Sequence, residues 1–168
     1  MSKIKSVLFV CTGNSCRSIM AEGFLKRTLK ELGKDNIMVS SAGVSAIDGF
    51  GPTRETLEVM KREGVDVSDF KSRSLNDAMI ISADLILVMA AHHMSDIIAR
   101  VPKAASKTHI LKQYGQRDNS YIRLGMDISD PIGKPVKVYE YTLGEIKREV
   151  DRIARVIARS DSDETISG

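Results

Sequence analysis

Apolar residues run without a break at positions 7–10 (VLFV) and again at 85–89 (LILVM), and both runs give way to polar or small residues. Short uninterrupted runs of this kind suit strands buried on both faces, and they predict strands over residues 4–10 and 84–89. Two weaker stretches, 36–43 (NIMVSSAG) and 107–111 (KTHIL), predict two more. Between the strands the period changes. From Ile19 onward Met20, Phe24, Thr28 and Leu32 recur at helical spacing, with Ser18 in the N-cap place, Glu22 near the first turn and Gly33 as the stop. Residues 53–63, between Pro52 and Gly64, predict a second helix; 74–83 predict a short third and 93–101 a fourth. A polar, turn-rich segment fills 112–137 before a long helix whose Ile146, Val150, Ile153 and Ile157 form one apolar stripe. Residues 160–168 have nothing to bury and read as a disordered tail on a single domain of residues 1–159.

Strand and helix alternate along the chain. That order implies right-handed βαβ units, a parallel sheet and helices on both faces, an α/β fold. Ligands in such sheets sit at the carboxyl ends of the strands, beside a switch in strand order. Met79, Met89 and Met94 read as packing residues and His109 as strand or core, while His92 and His93 read as surface residues near a helix start.

Composition narrows the function classes. With 168 residues, 42% hydrophobic and 28% charged, the chain resembles an ordinary globular protein. Its net charge of +3 is spread along the sequence, without a concentrated basic face or aromatic platforms, which argues against nucleic acid as a partner. The apolar run of four near the start is too short for a signal-peptide core or a membrane span. Two cysteines cannot frame a disulfide scaffold, and four residues between them match neither a C-x-x-C redox motif nor a zinc pair. A reducing, cytoplasmic setting is expected.

Both cysteines nevertheless stand in one polar loop, VCTGNSCRS, directly after the first strand. Strand, glycine-bearing loop and helix make an anion cradle, in which backbone N–H groups converge and the helix N-terminus adds positive potential. The nucleotide-binding patterns G-x-x-x-x-G-K-[ST] and G-x-G-x-x-G are absent. Cys11 opens the loop instead, and Arg17 follows six residues later. Positive potential at this position favours the nucleophilic thiolate. Arg17 can grip two oxygens of a phosphoryl group and stabilise the charge of its transition state. No metal or cofactor is required. Cysteine and arginine six apart are common by chance; their place between strand and helix makes the pair informative. A leaving group also needs a proton. Asp130, held extended before Pro131 in a polar loop, is the best candidate, and Asp127 is its nearest competitor.

These residues resemble the low-molecular-weight cysteine phosphatase family over residues 5 to about 158: VCTGNSCRS matches its signature loop, SAG at 41–43 its second-strand end, and DP at 130–131 its acid loop. The resemblance implies a four-stranded parallel sheet of flavodoxin-like order. It implies Cys11 as the nucleophile that forms a phosphocysteine, Arg17 as the clamp, and Asp130 as acid and then base. Thr12, Gly13, Asn14, Ser15, Cys16 and Ser18 would surround the substrate phosphoryl group. Ser18 would hydrogen-bond the Cys11 thiolate, Asn14 would hold the loop through Ser41, and Cys16 would be able to form a reversible disulfide with Cys11. Implied with these are a phosphorylated protein substrate, no membrane partner, and a monomer or weak homodimer.

Branch features are mixed. Ser15 stands where arginine phosphatases of the fold carry threonine and many tyrosine phosphatases carry isoleucine, and the acid loop reads DPIGK rather than a DPFGG-like sequence or one with aromatics. Phosphotyrosine is favoured as the commoner activity, with phosphoarginine as the alternative. The loop is also similar to that of thioredoxin-coupled arsenate reductases, but residues 85–98 lack the two further cysteines that such a relay needs. A non-catalytic phosphate-binding module would have no need for Cys11, Arg17 and Asp130 together.

Overall fold

A computed structural model of the chain describes residues 3–116 and 125–163. Four parallel strands, β1 (Ser6–Cys11), β2 (Met38–Gly43), β3 (Leu85–Val88) and β4 (Thr108–Ile110), form one sheet in the order β2-β1-β3-β4. This is the expected flavodoxin-like order. The helices are α1 (Arg17–Glu31), α2 (Arg54–Arg62), α3 (Asp77–Ser82), α4 (Ala91–Arg100) and α5 (Val136–Asp163), with a 3-10 turn at Pro102–Lys107.

Strand side chains alternate between faces, so β1 feeds two cores. Val7, Phe9 and Cys11 pack with Met20, Phe24 and Leu25 of α1 and with Ile146, Val150, Ile153 and Ile157 of α5. Leu8 and Val10 pack on the other face with Ile80 of α3 and Ile97 of α4. The stripe on the long helix is therefore the face that α5 lays on α1. Met89 lies in the first core, while Met79 and Met94 pack against the second.

Helix ends follow local chemistry. Gly33, at φ 68°, closes α1, with Gly33 N–H donating to Lys30 O and Lys34 N–H to Leu29 O. Thr53 caps α2 by accepting from Thr56 N–H, and Asn76 caps α3 by accepting from Met79 N–H.

Three expectations need correction. Ser18 is not the cap of α1: the helix starts at Arg17, its N-cap is Cys16, and no side chain caps it. Ser18 is committed to the loop instead. The long helix runs through Asp163, so residues 160–163 belong to α5, while 164–168 lie outside the described residues. Residues 117–124 of the polar segment lie outside them too. Finally His93 is fully buried and only His92 is exposed, because α4 starts at Ala91 and turns His93 inward.

Candidate active site

Strand order reverses between β1 and β3, and the loop of residues 12–16 leaves the carboxyl end of β1 at that point. Outside donors hold the loop's carbonyls. Val44 N–H donates to Cys11 O (3.0 Å), Ser45 N–H to Thr12 O (2.9 Å) and Thr53 N–H to Ser15 O (3.2 Å). The Ser72 hydroxyl donates to Asn14 O (2.8 Å) and the Thr56 hydroxyl to Ser15 O (3.1 Å). In a trans peptide the N–H of the next residue points opposite to the carbonyl. Four outward carbonyls therefore turn the N–H groups of Thr12, Gly13, Ser15 and Cys16 to the inside of the loop. That is an oxyanion cradle.

Asn14 bears the strain of this path. At φ 50° it is the one non-glycine residue with positive φ among those described, and it is fully buried. Its Nδ2 donates to Ser18 Oγ (2.7 Å) and Ser41 Oγ (3.0 Å), and its Oδ1 accepts from Arg73 N–H (2.9 Å). Gly43, at the end of β2, lets the loop come this close. A Cβ there would stand 2.5 Å from Thr12 O and 2.8 Å from Asn14 N.

These bonds set the direction of the hydroxyls. Ser18 Oγ accepts from Asn14, so its own hydrogen is available to Cys11 Sγ, 2.9 Å away. Ser41 likewise accepts from Asn14 and donates to Glu22 Oε2 at 2.5 Å, and Lys26 closes the chain on Glu22 Oε1 at 2.6 Å. Glu22, expected only to favour the first helical turn, is a buried carboxylate joined through Ser41 to the loop that follows Cys11.

Arg17 is 4% exposed and spans the cleft. It donates to Ile128 O (2.8 Å), to Asp130 Oδ2 (3.1 Å) and to Thr12 Oγ1 (3.4 Å). Ile128 N–H donates to Met89 O, which fixes the acid loop to the end of β3. The two candidate carboxylates separate here. Asp130 faces Arg17 and is 40% exposed, whereas Asp127 Oδ1 accepts from Ala91 N–H at 2.9 Å and so caps α4 from outside.

Cys11 and Cys16 are both buried free thiols. Cys16 lies against Thr53 Oγ1 (3.6 Å) and the Tyr139 hydroxyl (3.7 Å), and burial is the largest of the effects that push the Tyr139 phenol up to about 12.

Several contributors were not legible in the sequence. Ser72, Arg73, Thr53 and Thr56 hold the loop from distant parts of the chain. The loop of residues 44–53, tied to the cradle at both ends, exposes Ile47 and Phe50, and Ile132 is exposed two residues after Asp130. Their one signal was an apolar side chain in an otherwise polar loop. His93 Nε2 lies 2.9 Å from Thr12 Oγ1, a contact that only the docking of α4 creates. Among the described residues no group of three His, Cys, Asp or Glu comes together as a metal site, and no helix is long and apolar enough to cross a membrane.

Known proteins are similar to this chain in sequence and fold. A probable low molecular weight protein-tyrosine-phosphatase of Ralstonia solanacearum is 36% identical over 148 residues, which is 88% of this chain and 92% of that protein. A protein-arginine-phosphatase of Geobacillus stearothermophilus is also 36% identical over 148 residues, covering 88% and 93%. The crystal structure of a low molecular weight protein tyrosine phosphatase from T. tengcongensis superposes with a TM-score of 0.80 at 39% identity, covering 92% of this chain and 99% of that one. The family model for low molecular weight phosphotyrosine protein phosphatase matches residues 6–163, and the chain belongs to that family.

Proposed function

We propose that the protein is a metal-independent, cysteine-dependent phosphatase that hydrolyses phosphorylated protein side chains, phosphotyrosine foremost, through a phosphocysteine at Cys11. One observation carries this reading: Cys11, bonded to Ser18, opens a loop with inward N–H groups, and Arg17 at the loop's other end is bonded to Asp130. The Cys11 thiolate, receiving the Ser18 hydroxyl hydrogen, attacks phosphorus. The bond from phosphorus to the leaving oxygen breaks as protonated Asp130 gives that oxygen its proton. Arg17 and the loop N–H groups hold the non-bridging oxygens as their charge grows. Water then attacks the phosphocysteine, Asp130 takes the water's proton, and the products are inorganic phosphate and free thiolate. Every group in the sequence comes from one chain, so a monomer or weak homodimer is sufficient. Cys11 must stay reduced, which fits a cytoplasmic setting.

Phe50, in the loop tied to the cradle, and Ile132, two residues after Asp130, are exposed apolar side chains, and such surface favours an aryl substrate. Phosphoarginine is the second reading. Ser15 puts a small hydroxyl in the loop, and an arginine phosphatase is as similar to this chain as the tyrosine phosphatase relative is. Side-by-side kcat/KM for phosphotyrosine, phosphoarginine and phosphoserine peptides decides between them. Phosphotyrosine should be turned over fastest and phosphoserine slowest by far. A higher kcat/KM for phosphoarginine would overturn the assignment of substrate while leaving the cysteine chemistry in place.

A further inference from the structure

His93 takes no part in the chemistry above, yet it is fully buried against the catalytic loop. Its Nε2 stands 2.9 Å from Thr12 Oγ1, and its Nδ1 has no hydrogen-bond partner among the described residues. Burial first, then the charges of His92 and Arg17, push its pKa down to about 3, so the ring is neutral at physiological pH. A neutral imidazole carries one N–H. On Nδ1 that hydrogen would be a buried donor without an acceptor, the rarest kind of unsatisfied group. On Nε2 it donates to Thr12. Thr12 Oγ1 also accepts from Arg17 at 3.4 Å. With both of its lone pairs engaged, the Thr12 hydroxyl has no acceptor for its own hydrogen among the described residues.

We propose that His93 is a positioning residue that holds Thr12 with its hydroxyl hydrogen turned into the cleft beside Arg17 and Asp130, as a side-chain donor to a non-bridging oxygen of the substrate's phosphoryl group. The inference rests on reading the loop as a phosphoryl site. The backbone N–H groups and Arg17 are donors that any loop of this shape offers. The Thr12 hydroxyl adds another, and it is free to donate forward only because His93 donates from behind.

Two measurements test this. The ¹⁵N chemical shifts of the His93 ring in labelled wild-type protein report the tautomer directly, with hydrogen expected on Nε2 and a bare Nδ1; hydrogen on Nδ1 overturns the proposal. The dissociation constant of inorganic phosphate then reads the donor without requiring turnover. Thr12→Val should weaken phosphate binding about ten- to a hundredfold, the usual worth of a hydrogen bond to a charged group. His93→Leu should weaken it by a similar factor, and the double variant by no more than either alone. His93→Gln, whose amide can donate over the same reach, should restore most of the affinity. Losses that multiply in the double variant, or undiminished binding by Thr12→Val, overturn the proposal. If His93→Leu does not fold, the tautomer and Thr12→Val still decide. Wild-type protein that bound no phosphate would overturn both this proposal and the phosphatase reading beneath it.

Discussion

Asp127 and Asp130 stand three residues apart in one polar loop, and the sequence prefers Asp130 only for its place before Pro131. The fold gives Asp127 to the N-terminus of α4 and Asp130 to Arg17. Asp130→Asn should therefore slow an ordinary phenolic leaving group by about a hundredfold, because the departing oxygen loses its proton donor. A strongly activated aryl phosphate should suffer far less. Asp127→Asn should leave that dependence unchanged and cost folding little, because the Asn oxygen can still accept from Ala91 N–H. Rates of phosphoenzyme formation plotted against leaving-group pKa separate the two. A slope that steepened only for Asp127→Asn would exchange their roles. Cys11 and Arg17 were legible because one short window between strand and helix holds both. His93 was not: its contact with Thr12 joins positions 81 residues apart, and its sequence context reads as a surface helix.

At the scale of elements, the strands were legible because buried parallel strands leave uninterrupted apolar runs, and α2 because Pro52 and Gly64 bracket it. The start of α1 was not. Serine before an apolar period is a good cap by local rules, but Ser18 faces Cys11 and Asn14, and the chemistry of the loop overrides the preference. The end of β2 shows how tightly element and loop are joined. Gly43→Ala would place a methyl group against the Thr12 carbonyl and the Asn14 amide nitrogen, so the cradle must shift. It should cost about 1–3 kcal/mol in urea unfolding and weaken orthovanadate inhibition together with it. Full stability with unchanged inhibition would show that the close approach is not needed.

The most buried imidazole of the molecule lies where α4 meets the β1 loop. His93 has a pKa near 3 in the fold against an ordinary value of 6.5, so between these values the unfolded chain binds a proton that the folded one does not. Its contribution to stability is complete above about 6.5 and is lost as the pH falls toward about 3. His109, also lowered by burial, acts in the same direction. His93→Gln should flatten the fall in melting temperature through the upper part of that window, before carboxylates begin to protonate. An unchanged slope would mean that His93 is not held neutral by the fold. Cys11 Sγ as the atom that receives the phosphoryl group is tested most directly by quenching the wild-type enzyme during turnover of a phosphotyrosine peptide and mapping the modified residue by mass spectrometry. A phosphoryl group on Cys11 of the wild type, with turnover lost in Cys11→Ser, is the expected result. Steady turnover with the label on another residue, or undiminished turnover by Cys11→Ser, would contradict the account.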